Sequence, residues 1–203
     1  MSIRIKLHGV RISFANGLNN KSSIRGGTPK YGVDFILQPD TRILEKTAAG
    51  WMPVASIDEI MQRVATDTWK TEAMGKKMLA SLEASKLCLR DGDLRTSASG
   101  EVYDGYAGRR YITAKNTTRP QCWAKDGSVL PEDRRTEIYS GCYVVGLVDI
   151  YGNFKPDTKG VFSALLGAQF LADGDAFAGG APVDASDMDD LSDVGETVDD
   201  MIG

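Results

Sequence analysis

The tightest constraint on the fold lies at the start of the chain. Ile3, Ile5 and Leu7 alternate with Arg4, Lys6 and His8 in a two-residue period, the pattern of a half-buried strand. Gly9 breaks the phase, after which Val10, Ile12 and Phe14 continue the inward set and Arg11 and Ser13 face outward. A glycine at such a break suits a β-bulge, which bends a strand around a barrel wall. A long coiled opening strand of this kind restricts the chain to closed or strongly twisted β architectures.

Later segments repeat the period. Tyr31–Leu37 reads as a strand ending before Pro39, and residues 109–115 place Arg109, Tyr111, Thr113 and Lys115 on one face with Arg110, Ile112 and Ala114 on the other. Gln121-Cys122-Trp123 is a short strand followed by the Asp126-Gly127 turn signal, Ile138–Tyr151 a long strand, and Val161–Leu171 the closing one. Between them, residues 40–87 change character. Asp40 or Thr41 can cap a short helix through Ala48, and Ser56 followed by Glu59 makes a capping box ahead of Ile57, Ile60, Met61 and Val64 at helical spacing. A further helix runs through Met78, Leu79 and Leu82. The expected fold is mainly β with a helical insertion at about residues 40–87: an OB-fold-like Greek-key barrel over residues 1–172. Trp51 and Trp69, inside the insertion, are expected to be packing residues.

Charge separates the chain into two parts. Of its 28 acids, ten lie between Asp173 and Gly203, a stretch without Lys or Arg, which leaves 18 against all 24 bases in residues 1–172. A basic body with an acidic tail points towards nucleic acid. The tail is rich in Asp, Ala, Gly and Ser and poor in large apolar residues, so disorder is expected for residues 173–203. No apolar run reaches membrane-spanning length, no signal core precedes Ile3, and the three cysteines (Cys88, Cys122, Cys142) are far apart. Reduced thiols, a cytoplasmic location and no membrane partner are the expectation.

Binding an unpaired strand requires cations for phosphates and flat rings for bases. Tyr103, Tyr106, Arg109, Tyr111 and Lys115 supply both in a loop that leads into a strand, although a solvated strand face carries similar residues. Arg119 and Trp123 follow directly, Trp123 being either a stacking platform or a barrel-end packing residue. Tyr151 and Phe154 flank a loop with Lys155, and Lys21, Arg25 and Lys30 sit in a glycine-rich loop without acids. Enzymatic constellations are weak. His8 is the single histidine, the cysteines lack zinc-site spacing, and the glycines at 26 and 27 lack the Lys-Ser/Thr of a phosphate loop. No metal or cofactor is expected. Asp91 and Asp93 leave a metal-dependent DNA-processing enzyme as one alternative, and the acidic tail leaves a protein-interaction module as another.

Several blocks are specific in their order and spacing: Leu89-Arg90-Asp91-Gly92-Asp93, Tyr103-Asp104-Gly105-Tyr106, Thr113-Ala114-Lys115, Arg119-Pro120, Ile138-Tyr139-Ser140-Gly141-Cys142-Tyr143, Lys159-Gly160-Val161 and Asp173-Gly174-Asp175. Together they resemble a family of bacteriophage single-stranded DNA-binding proteins. The resemblance implies an OB fold, sequence-independent binding of single-stranded DNA, and a role in phage replication, recombination or repair in the host cytoplasm. Duplex DNA would be held more weakly. The tail, similar to that of other such proteins in being acidic, is expected to modulate DNA binding and to recruit replication or recombination proteins. It departs from the bacterial type in ending without a terminal Phe.

Overall fold

The computed structural model describes residues 1–23 and 26–177. Among them lie nine strands: β1 (Ser2–Ser13), β2 (Tyr31–Ile36), β3 (Arg42–Thr47), β4 (Gly50–Val54), β5 (Leu89–Asp91), β6 (Arg110–Asn116), β7 (Gln121–Trp123), β8 (Tyr143–Asn153) and β9 (Gly160–Ala172). Two α-helices, α1 (Ile57–Trp69) and α2 (Glu72–Ser81), follow β4.

β1 is the hub. It pairs antiparallel with β8 along almost its whole length, with β3 through Ile5–His8, and with β2 through Arg11–Ser13. β2 continues to β6, β6 meets β9 in parallel at Lys115–Ala164, and β9 returns to β8. The ring β1-β2-β6-β9-β8 closes on itself, a five-stranded Greek-key barrel with one parallel contact, as in an OB fold. The expected bulge is present: the β1–β8 register shifts between His8 and Val10, and Gly9 has φ +82°. That shift keeps Ile3, Ile5, Leu7, Val10 and Ile12 all pointing into the core.

The insertion differs from its expectation in its first part. Residues 42–54 form the hairpin β3–β4 rather than a helix beginning at Asp40 or Thr41, because the first half of β1 lacks a partner on that side and β3 supplies it. The capping box holds in one direction, Ser56 Oγ accepting from the Glu59 backbone N–H at 3.2 Å. The stripe Ile57, Ile60, Met61, Val64 and Ala65 is buried, and α1 lies against β8 and β1. Ile57, Ile60, Met61 and Val64 each contribute about 1.5–3 kcal/mol of burial. Ile138–Cys142, expected as strand, is a turn in which Cys142 N–H donates to Tyr139 O, and β8 begins only at Tyr143.

Residues 173–177 lie on the body. Tyr139 Oη donates to Asp173 Oδ1 and Gly174 O, Arg11 donates to Asp175 O, and Phe177 N–H donates to Ser140 O. Gly141, at φ +107°, permits this approach, since a Cβ there would stand 2.2 Å from Asp175 O. The disorder expected from residue 173 therefore does not apply to these five residues, and residues 178–203 lie outside the described residues. No helix among the described residues is long and apolar enough to cross a membrane.

Candidate nucleic-acid interface

A groove runs along the outer edge of β2 and β6 where β1 ends. Its shape follows from a backbone reversal at Phe14, which adopts φ 57°, ψ 38° and leads into a single 3-10 turn, Ala15–Leu18. Alternation predicts Phe14 as an inward residue. The left-handed backbone turns it outward instead, leaving it 38% exposed, and Ser13 is the buried one. A bulky side chain in that backbone region is uncommon and persists only where surrounding structure holds it.

The floor consists of Gly32 and Asp34 on β2, Thr113 and Lys115 on β6, and Arg90 on β5. Lys30 and Arg95 also line it. A neighbouring hollow adds Lys21, Tyr103 and Asp104, and the two share Phe14, Ser22 and Gly32, with volumes of about 490 and 540 Å³. The aromatic wall is compact. Phe14 meets Tyr103 edge-on at 5.5 Å, and the Arg95 guanidinium lies 4.8 Å from the Phe14 centroid and 5.8 Å from that of Tyr103.

Arg95 is held from below. Its Nη2 is 3.1 Å from Asp34 Oδ2, and Asp34 is only 2% exposed. Tyr106 Oη donates to the same oxygen at 2.8 Å. Burial alone would lower the Arg95 pKa, but the Asp34 carboxylate together with Tyr106 and Tyr111 outweighs it, and the net shift is upward. Lys115 moves the other way. Burial first, then Arg90, lowers its pKa below the ordinary lysine value, with Arg95 and Lys30 adding to the effect. Cations crowded to this degree form a site that gains from an anion.

The predicted residues divide into groups. Lys21, Lys30, Tyr103 and Lys115 come together in the groove. Arg25 lies outside the described residues. Tyr106 and Tyr111 are 0% and 4% exposed, and form a small second core with Ile36 and Phe177. Tyr111 does share a face with Thr113 and Lys115, but residues 92–109 fold over that end, and Tyr106 packs edge-on against it at 5.0 Å. As folded, neither ring has a face open to a base. Arg109 is exposed where this covering segment rejoins β6. Arg119 is engaged by Glu132 in a two-bond pair at 2.7 and 2.5 Å. Trp123 lies on the outer barrel wall, and Tyr151 and Phe154 lie at the far end of β8, where Tyr151 pairs with Ser2 and stacks obliquely on Phe162.

Phe14 and Arg95 escape the sequence reading, and Arg90 enters it only as part of a family block. The signal for Phe14 is the Asn16-Gly17 turn dipeptide that begins two residues after it, and for the two arginines it is their position on either side of the Asp91-Gly92-Asp93 turn. The carboxylates of that turn serve the backbone: Asp91 Oδ1 accepts from Asp93 N–H and Asp93 Oδ1 from Gly108 N–H.

A closed five-stranded barrel with a cation-lined, aromatic-walled groove defines an OB-fold protein suited to an anionic polymer with flat rings. The chain belongs to the family described as Enterobacter phage Enc34 ssDNA-binding protein, whose model matches residues 3–201. It is 35% identical over 195 residues, 94% of this chain and 95% of the relative, to putative protein p50 of Acyrthosiphon pisum secondary endosymbiont phage 1. Its fold is similar to that of the bacteriophage Enc34 single-stranded DNA-binding protein solved in complex with ssDNA, with TM-score 0.61 and 22% identity, covering 86% of this chain and 89% of that one. The same Enc34 protein in a second structure matches at TM-score 0.61 over 91% and 88%.

Proposed function

We propose that the groove binds single-stranded DNA without sequence preference, and that binding rather than catalysis is the activity of this chain. Phe14 and Tyr103 offer rings for base stacking, while Lys21, Lys30, Arg90, Arg95 and Lys115 take the phosphates. One observation carries the reading: Arg95 is fixed against the buried Asp34 while its planar group covers both exposed rings, a preformed platform rather than a flexible charged face. Family membership and the fold shared with the Enc34 protein support it. Phage replication, recombination or repair in the host cytoplasm is the proposed setting.

The DNA-binding domain is proposed to extend to Phe177, because residues 173–177 pack on it, and the acidic tail to begin beyond. Eight acids lie between Asp184 and Asp200 and compete with phosphates for the groove cations, which makes the tail a modulator of affinity and a docking segment for replication or recombination proteins. The test is fluorescence anisotropy of the full chain and of residues 1–177 with a mixed-sequence single strand, the matching duplex and RNA. Five groove cations at about 0.7 released counterions each give a log–log salt slope near −3.5 for the single strand. Arg95→Ala is expected to weaken binding and make the slope shallower. A salt-independent interaction, or none at low salt, refutes the proposal.

A further inference from the structure

The outward side chains of β1 and its neighbours form a second cationic and aromatic surface, separate from the groove. Lys6 is its centre. Lys6 Nζ lies 4.3 Å from the centroid of the Trp51 ring, and Lys46 Nζ lies 5.5 Å from the same ring. On its other flank Lys6 lines a cleft of about 310 Å³ with Trp123, Gly127, Val145, Leu147 and Gln169.

Strand register accounts for this grouping. Lys6 sits between Leu147 of β8 and Leu44 of β3, and Lys46 lies opposite Trp51 in the β3–β4 hairpin. Trp123 of β7 pairs with Gln169 of β9. A lane therefore crosses β7, β9, β8, β1, β3 and β4 from one indole to the other. At about 4.8 Å per strand its length is roughly 24 Å.

Both indoles are half-buried, anchored yet accessible. The charge along the lane is positive. Arg42 lies beside His8, and burial, then Arg42 and Lys6, hold the imidazole below its ordinary pKa. Asp149, the acid next along β8, is already gripped by Arg4 at 2.8 and 3.0 Å, and Glu45 is turned to Arg63 on the α1 side. With these two carboxylates engaged by arginines, the two lysines over one indole resemble a site awaiting a phosphate and a base.

We infer that this lane is a second track for the same single strand. DNA longer than the groove continues around the barrel, stacking bases on Trp51 and Trp123 and placing phosphates against Lys6 and Lys46. The inference rests on the groove reading and extends the footprint beyond it. The groove holds Phe14 and Tyr103 but no tryptophan, so tryptophan emission separates the two tracks.

The experiment uses the full chain carrying Trp69→Phe, titrated with oligothymidylates of about 6 nucleotides, within one OB-fold site, and about 30, beyond its upper end of about 16. Both oligonucleotides bind, and only the longer quenches tryptophan emission. Lys6→Gln with Lys46→Gln weakens the longer by roughly tenfold or more, reduces its salt slope by about 1.4, and leaves the shorter unchanged. Equal quenching by both lengths, no quenching by a long oligonucleotide that binds, or equal loss for both overturns the second track while leaving the groove intact. Quenching that depends on protein concentration without DNA assigns the lane to a second copy and also overturns it. If neither oligonucleotide binds, the groove reading fails and the track fails with it.

Discussion

Replacing Tyr106 by Phe separates a structural tyrosine from a stacking one. The ring is fully buried, and its hydroxyl donates at 2.8 Å to a carboxylate that is itself 2% exposed. Phe retains the ring and its edge-on contact with Tyr111, so the change removes one hydrogen bond to a charged acceptor, about 1.5–3 kcal/mol. For a domain of this size each kcal/mol moves Tm by about 2–4 °C, which gives an expected fall of about 3–12 °C. Thermal melts at pH 7, with urea unfolding to confirm an unchanged m-value, measure the loss. Affinity for single-stranded DNA, taken at a temperature where the variant is folded, should stay within about threefold, since Arg95 still pairs with Asp34 and covers Phe14. An unchanged Tm would contradict the buried bond. A large affinity loss with Tm intact would mean that Tyr106 meets DNA, and would refute the account of the covering segment.

Two further predictions concern pH. The Lys115 pKa is lowered by burial and by Arg90, and a bound phosphate raises it. Its share of the affinity is therefore complete below the depressed pKa and lost as pH rises through it, beginning below the ordinary lysine value of 10.5. Anisotropy titrations at alkaline pH, below the ordinary lysine value, should show a decline that Lys115→Arg flattens, and an identical decline in the variant would contradict the crowding. Burial pushes the Cys88 thiol up to about 12 and that of Cys142 to about 11, against 9.0 for a free thiol. Stability from keeping them neutral is intact below pH 9 and falls as pH rises towards those values, because the unfolded chain ionises first. Cys88→Ala with Cys142→Ala should make that alkaline fall shallower, and all three thiols should react with a disulfide reagent only at the rate of unfolding. Rapid modification of the native protein would contradict their burial.

The barrel was readable from sequence because its first strand obeys a strict local period from Ile3 to its break at Gly9, and because residues 31–37 and 161–171 are apolar-rich runs bounded by polar or glycine- and proline-bearing segments. The β3–β4 hairpin was not readable. Residues 42–48 carry no decisive period, and what makes them strand is the unpaired half of β1, a contact remote in sequence. The same holds for the groove. Alternation correctly put Tyr111, Thr113 and Lys115 on one face, but which of them is exposed depends on residues 92–109 folding over one end. Phe14 was misassigned because a phenylalanine at positive φ is imposed by tertiary structure, with nothing in the local pattern to mark it. Asp34 escaped and Tyr106 was misassigned for a similar reason, since a buried carboxylate becomes intelligible only once its two partners are seen around it.

The central claim is that Phe14 and Tyr103 form the stacking platform of the groove. Photo-crosslinking tests it directly, using a bromodeoxyuridine oligonucleotide of about six nucleotides, short enough to occupy one OB-fold site, and peptide mapping of the adduct. The account predicts crosslinks to the peptides containing Phe14 and Tyr103, lost on competition with unlabelled single strand. Crosslinks confined to the Tyr151–Phe154 end of β8, with none at Phe14 or Tyr103, would contradict it.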